Sequence, residues 1–479
     1  TIIGDFTYSF NTTRYSNRQV NGEYATSPGE TATITTGRFE DKLAEAVILN
    51  NYYAVNAYAT YETSIARDHN IKAMVGYNWE TKMNKDARFS AYNLFSEVLN
   101  DMDLRGMDAE GNIRMENSGG FSEYVVRGYY ARLNYDYKGR YLFEVSGRYD
   151  GTSRFPSDRR WGFFPSGSIG WRVSEEPFFE PVRKTVDNLK LRVSYGTLGN
   201  QQVDNYGYIR SVGISMGTDY LFGEGKPLFA TMDAPVYASN YTWEKAAHTN
   251  IGLDLGMFRN RLNFSGDFYI RDTKDMLTDM KALPATYGAK LPKGNFADLR
   301  TKGYELTLAW RDNFKVANKP FSYSVSLLFS DYYTVITKYD NPDKSLAMAH
   351  YEGKRWGEMW GLRTNGYFLS DDEARNWHID QSSVNGIINA SAGAEKGLRA
   401  GDIKFVDLDD NNIISKGKHT VDDPGDYRII GNSEPRSTYG VNLCAAWNGI
   451  DFALFIQAVG TRDWYPGVNN TTFWGPYAR

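Results

Sequence analysis

Residues 129–150 read YYARLNYDYKGRYLFEVSGRYD, and they alternate with a period of two. Tyr129, Ala131, Leu133, Tyr135 and Tyr137 occupy one face, and Tyr130, Arg132, Asn134 and Asp136 the other. After Lys138 to Arg140 the pattern resumes, with Tyr141, Phe143, Val145 and Tyr149 set against Glu144, Ser146, Arg148 and Asp150. Successive side chains of a strand point to opposite sides of a sheet, so each run is a strand with one apolar and one polar face. A three-residue loop at 138–140 keeps the faces matched, placing Tyr137 opposite Tyr141 and Tyr135 opposite Phe143.

Outward from this hairpin the pattern recurs. Leu262, Phe264, Phe268 and Ile270 oppose Asn263, Ser265, Asp267 and Arg271, and Phe321, Tyr323, Val325, Leu327 and Phe329 oppose Ser322, Ser324 and Ser326. Thirteen runs can be marked, near 2–10, 52–62, 71–79, 124–137, 141–150, 163–174, 188–196, 247–257, 261–271, 302–311, 321–332, 437–447 and 450–460. The pairings Trp447 with Ile450, Ala445 with Phe452 and Met257 with Leu262 are expected across the hairpins at Asn448-Gly449 and Arg259-Asn260.

The links between runs alternate in length. Short ones at 63–70, 138–140, 175–187, 258–261, 312–320 and 448–449 interleave with long ones at 11–51, 80–123, 151–162, 197–246, 272–301 and 333–436. Tight turns on one rim and long loops on the other belong to an outer-membrane barrel, whereas a soluble sandwich has no reason for such a division. The expected fold is all-β, an antiparallel up-and-down transmembrane β-barrel, with Tyr and Trp at the strand ends forming interfacial girdles.

Composition agrees. Charged residues make up 23% of the 479, mean hydropathy is −0.53, and no apolar run of about 18 residues marks a membrane helix. A 15% aromatic content with 35 Tyr and a single Cys exceeds the needs of a soluble enzyme core and excludes a disulfide framework. The net charge of −4 leaves no footprint for nucleic acid. Thr1 follows no initiator Met and no signal peptide is visible, so the chain is expected to begin mid-protein or after processing.

Seven segments, in order, carry a resemblance. They are YDGTSRF at 149–155, RWGFFPSGSIGWRVSEEPFF at 160–179, LKLRVSYGTLGNQ at 189–201, WEKAAHTNIGLDLGMFRNRLNFSGDFYIRDTKDML at 243–277, GDIKFVDLDDNNII at 401–414, IGNSEPRSTYGVNL at 430–443 and FIQAVGTRDWYP at 455–466. Over about 120–479 the chain resembles the SusC/RagA-like family of TonB-dependent outer-membrane transporters of the Bacteroidetes. The resemblance implies a barrel of about 22 strands closed by a plug. Residues 1–479 are accordingly expected to be one internal part of it, lacking the plug and terminal strands, with Arg479 in an external loop. It further implies import of oligosaccharides or peptides across the bacterial outer membrane, with a SusD-like lipoprotein and TonB as partners. A passive porin is the alternative, and a surface adhesin a more distant one.

Catalytic chemistry is not expected. The five histidines (His69, His248, His350, His378 and His419) lie in links or at strand edges, and no nucleophile elbow, zinc motif or phosphate loop accompanies them. Arg132, Asp136, Glu144, Arg148, Asp150, Lys190 and Arg192 face the lumen, where charges most simply pair with one another or with a plug. Cys444, on the inner face, has no partner cysteine. In the longest link, Trp356, Trp360, Tyr367 and Trp377 are candidates to stack on substrate, with mutual loop packing as the alternative. Asp407-x-Asp409-x-Asn411, in a loop with seven Asp between 401 and 426, has the spacing of a calcium loop. The sixth-position Gly is replaced by Asn412 and the twelfth-position Glu by Lys418, so an Asx-stabilised turn is the competing expectation.

Overall fold

A computed structural model describes residues 1–34, 41–107, 111–209, 213–216, 228–231, 241–279, 293–384 and 398–465. Thirteen strands form one sheet: β1 (Ile2–Gln19), β2 (Lys42–Ile65), β3 (His69–Tyr92), β4 (Met115–Tyr137), β5 (Tyr141–Thr152), β6 (Trp161–Arg172), β7 (Val186–Asn200), β8 (Glu244–Met257), β9 (Leu262–Asp279), β10 (Lys293–Val316), β11 (Lys319–Lys338), β12 (Thr438–Trp447) and β13 (Ile450–Val459). Each pairs antiparallel with its neighbour in sequence, and each of the thirteen expected runs coincides with one of them, four of the runs (163–174, 261–271, 437–447 and 450–460) overshooting a strand end by one or two residues. Register is as parity requires: Trp447 faces Ile450, Ala445 faces Phe452, Met257 faces Leu262, Tyr137 faces Tyr141 and Tyr135 faces Phe143.

This topology places alternate links on opposite rims. The turn rim carries 66–68, 138–140, 173–185, 258–261, 317–318 and 448–449, and the loop rim carries the others, including 201–243 and 339–437. Asn448 and Gly449 both take positive φ, 48° and 83°, the conformation a two-residue hairpin demands. One contrast in length differs from expectation: 173–185 on the turn rim is longer than 153–160 on the loop rim. The longer link is compacted by 3-10 turns at Val173–Glu175 and Pro177–Val182 and tied back where Trp171 Nε1 donates to Glu176 at 3.1 Å.

Several strands are far longer than the alternation suggests, reaching 24 residues in β2, β3 and β10. At about 3.3 Å per residue and a tilt near 45°, such a strand rises about 55 Å, roughly twice the apolar band of a membrane barrel. The extra length lies toward the loop rim, beyond the apolar band, where the period-two signal fades, as in KLAEAVILNN at 42–51.

The sheet has no single core. Its odd face in β4 and β5 is apolar and open to its surroundings, with Val145 64% exposed and, in β6, Phe163 62% exposed. Rings line both ends of that face: Tyr77 lies 5.2 Å from Tyr129 and Tyr149 stacks on Trp161 at 4.8 Å toward the loops, while Tyr137 meets Tyr141 at 6.3 Å near the turns. Among the described residues, small core clusters lie at the loop rim, where Phe155, Phe164, Tyr241 and Trp243 pack together, as do Leu43, Ala91 and Leu94. The sheet is open. β1 and β13 are each paired on one side only among the described residues, as expected of an incomplete barrel. Arg479 lies outside the described residues.

The register is testable by crosslinking. With Cys444→Ser as background, Ser146→Cys with Ser166→Cys should form a disulfide across β5 and β6, since the two hydroxyls already lie 2.6 Å apart. Ser146→Cys with Gly167→Cys should not, because one residue of slip turns the side chain to the other face. The reverse result on a non-reducing gel would refute the register.

Candidate functional site

The polar face of the sheet carries ionic groups that satisfy one another. Glu144 accepts from Asn134 Nδ2 at 2.6 Å and lies 3.8 Å from Arg132, and Arg148 pairs with Asp150 at 2.9 Å. Asp136 accepts from Asn70 and from the Gly139 N–H. Arg192 bridges two strands, contacting Asp254 at 2.8 Å and Asp267 at 3.0 Å, while Ser265 also donates to Asp254. Gly252 makes room for this group: a Cβ there would fall 2.6 Å from Asp267 and 2.7 Å from Arg192. An open hollow near the turn rim is lined by Glu62, Lys72, Asp136, Glu144, Lys190 and Arg192. The wall is thus polar, with its charges largely neutralised in place, as expected from their pairing with one another.

All five histidines pack on aromatic rings, His69 on Tyr137, His248 on Tyr269, His350 on Trp356, His378 on Trp377 and His419 on Tyr427. Cys444 is exposed and sits in register with Ser324, on the polar face.

The link 339–437 is a folded module. Strands Glu358–Leu362 and Tyr427–Asn432 pair, as do Thr364–Tyr367 and Ile403–Phe405, and a short helix spans Asp371–Arg375 with Ser370 as its cap. Phe368, Gln381, Ile414 and Asp426 are buried. The Gln381 amide bonds the Ile403 carbonyl at 2.8 Å, so a polar side chain in this core is satisfied by backbone.

The four candidate aromatics are not gathered into one surface. Trp356 stacks on His350 at 5.1 Å and keeps 40% exposure. Trp360 donates to Glu358 at 2.7 Å, and the same carboxylate holds the buried Tyr351 hydroxyl, whose pKa is raised by burial and then by Glu358. Trp377 packs edge-on against Phe368, with the Lys404 ammonium over both rings. Tyr367 is 62% exposed. Trp360 and Trp377 therefore hold the module together, while Tyr367 and Trp356 present surface to solvent. Tyr351, Phe368 and Gln381 carry no mark in the sequence, because a few buried residues within a long link leave no periodic trace.

In the acidic turn, Asp407 accepts the N–H groups of Asp409, Asn411 and Asn412, at 3.3, 3.3 and 2.6 Å. Asn412 takes the left-handed conformation at φ 61°, so Asn fills the place usually given to Gly. The Asn411 side-chain oxygen accepts from the Ile413 N–H at 2.7 Å. A third carboxylate joins the first two: oxygens of Asp407, Asp409 and Asp426 lie within 4.8 Å of one another. Asp426, far from the motif in sequence, is fully buried and accepts from Leu408 and Ser415. Partial desolvation and the Asp426 charge push the Asp409 carboxyl above its ordinary range. Desolvation acts the same way on Asp407, but the Asn412, Asn411 and Asp409 N–H groups outweigh it and hold that carboxyl low.

Comparison with known proteins fits this architecture. Residues 3–422 match the family described as TonB dependent receptor-like, beta-barrel. The chain is 28% identical over 416 residues to TonB-dependent receptor P3 of Formosa agariphila, covering 84% of this chain and 38% of that protein. It is 33% identical over 220 residues to TonB-dependent receptor SusC of Bacteroides thetaiotaomicron, covering 45% of this chain and 21% of SusC. The RagAB peptide transporter structure superposes with a TM-score of 0.71 at 19% identity, over 95% of this chain and 45% of that one. The chain spans about two-fifths of the length of the Formosa relatives P3 and P39, at 38% and 42%. A thirteen-strand sequential antiparallel wall, apolar outside and polar within, matched over most of its length by that family, is outer-membrane barrel wall: the chain belongs to the TonB-dependent receptors, which are transporters and not enzymes.

Proposed function

We propose that the chain forms part of the barrel of an importer for oligosaccharides or peptides, energised by TonB and served by a SusD-like surface lipoprotein. The observation that carries this is the module at 339–437, which has its own strands and core and stands on the loop rim of a transporter wall. A passive pore needs no such structure above it. The names of two similar proteins, SusC and the RagAB peptide transporter, support the substrate classes and the paired arrangement. The plug and the rest of the wall belong, on this reading, to other parts of the receptor polypeptide. Wall charges that are already neutralised hold no fixed ion path, so selection falls to the loops outside and to the plug within.

Tyr367 and Trp356 are the capture residues in this proposal, and Trp360 and Trp377 are structural. Calcium is proposed to strengthen the module: Asp407, Asp409 and Asp426 would hold it, with further oxygens from carbonyls or water, since a calcium ion takes six to eight. The charge that Asp426 and Asp407 impose on Asp409 is what the cation would relieve.

Replacing 339–437 by a short turn between Lys338 and Thr438 in the intact receptor should abolish growth on the cognate oligomer, yet leave a barrel that migrates as folded on unheated gels. Uptake that survives both this deletion and loss of TonB would establish a passive pore instead. Tyr367→Ala and Trp356→Ala should each weaken capture by up to about tenfold, as loss of an aromatic contact does, whereas Trp377→Ala should loosen the module to protease.

For the acidic turn, calcium should slow proteolysis of the module relative to chelator. Asp409→Asn should abolish that response without speeding cleavage in chelator, because it removes a charge that its neighbours oppose. Equal cleavage with calcium and with chelator in the unsubstituted receptor would leave the turn as an Asx structure only.

A further inference from the structure

On the lipid-facing side of β9 to β12, side chains can be followed row by row toward the loops. Leu308 faces Leu327, and Leu306 faces Phe329, which faces Tyr439. Tyr304, Phe329 and Tyr439 form an aromatic row with centroid spacings of 5.7 and 5.1 Å. Immediately beyond it, Ile270, Lys302 and Tyr333 lie in register, and then Asp272, Arg300, Val335 and Arg355. Arg355 comes from the module at 339–437, whose segment near 353–356 pairs with the upper end of β11 through Ile336 and Thr334. Its guanidinium sits 5.2 Å above the Tyr333 ring.

The charges here do not balance. Arg300 is held by Asp272 at 2.6 Å and Arg436 by Asp331 at 2.8 Å. No salt bridge engages Lys302 or Arg355 among the described residues. Two cations without a salt bridge among the described residues thus flank an exposed tyrosine just beyond an aromatic girdle, continuous with a wall where Leu308 and Leu327 stand 39% and 45% exposed. In an outer-membrane barrel that height is the headgroup level of the outer leaflet. A ligand reaching both features carries an anionic head and apolar tails, and phosphate oxygens suit a guanidinium on one side of Tyr333 and an ammonium on the other.

We propose that Lys302, Tyr333 and Arg355 form a binding site for the phosphorylated headgroup of an outer-leaflet lipid. Its chains run down the apolar wall past Tyr304, Phe329, Leu308 and Leu327. Because Arg355 belongs to the external module, a bound headgroup would also anchor that module to the membrane surface. The site follows from the membrane placement of the wall and not from the import reading, so its test uses no uptake measurement.

The test is lipid binding to the purified intact receptor in detergent, followed by native mass spectrometry, with phosphorylated lipid A, its dephosphorylated form and inorganic phosphate as probes. Phosphorylated lipid A should bind, and Lys302→Ala with Arg355→Ala should weaken it roughly thirtyfold, at about a fivefold loss per cation near a membrane surface. Lys302→Arg with Arg355→Lys, which keeps both charges, should retain most of the affinity and guards against loss through misfolding. Equal binding of the dephosphorylated lipid, or binding unchanged in the double-alanine protein, would overturn the proposal. Displacement of the lipid by inorganic phosphate at equal concentration would also overturn it, by showing a site for the free anion.

Discussion

A backbone crossing a bilayer has no water to satisfy its N–H and C=O groups, and every other feature of this chain depends on that constraint. Strands meet it only by pairing on both sides, which forces neighbours in sequence to be neighbours in the sheet and joins them by tight turns wherever nothing else is needed. Side chains are then free to follow the two solvents. The apolar set goes outward as a continuous band bounded by rings, and the polar set goes inward, where charges find partners such as Asp254 and Asp267 around Arg192. The absence of a central core is a consequence of the same arrangement, since lipid replaces the interior of a soluble protein as the apolar phase.

Those forces leave direct marks in sequence, which is why the wall is legible there. Two solvents on two faces impose a period of two, and a two-residue turn such as Asn448-Gly449 fixes parity across its hairpin, so the register of that pair follows from the residues alone. Strand length is not legible. Beyond the membrane lipid no longer covers one face of β2 and β3, local packing such as Leu43 with Ala91 and Leu94 takes its place, and the strands continue unseen by their pattern. The division of links by length fails at 173–185 for a similar reason: a turn-rim link can be long if it folds on itself, as this one does around Val173 and Phe179.

The external module is legible only as a long link with aromatics and acids. Its core rests on contacts between residues far apart in sequence, such as Gln381 with Ile403 and Asp426 with Leu408 and Ser415, and no local pattern encodes them. The same holds for the cationic ledge. Lys302 and Arg355 become neighbours of Tyr333 only because the module folds back to pair with β11. Wall and module thus obey different rules, the first set by solvent on either side and the second by ordinary packing, and they meet at the loop rim.

The central claim is that odd positions of β4 and β5 face lipid and even positions face water. Nitroxide labels placed singly at residues 129–137 and 141–149 of the intact receptor in bilayers, in a Cys444→Ser background, would read this through collision with oxygen and with a water-soluble nickel complex. The account predicts strict alternation in both strands, oxygen access peaking at 131, 133, 143 and 145 and nickel access at 132, 134, 144 and 146. Nickel access at every position would contradict it, as would a phase reversed between the two strands.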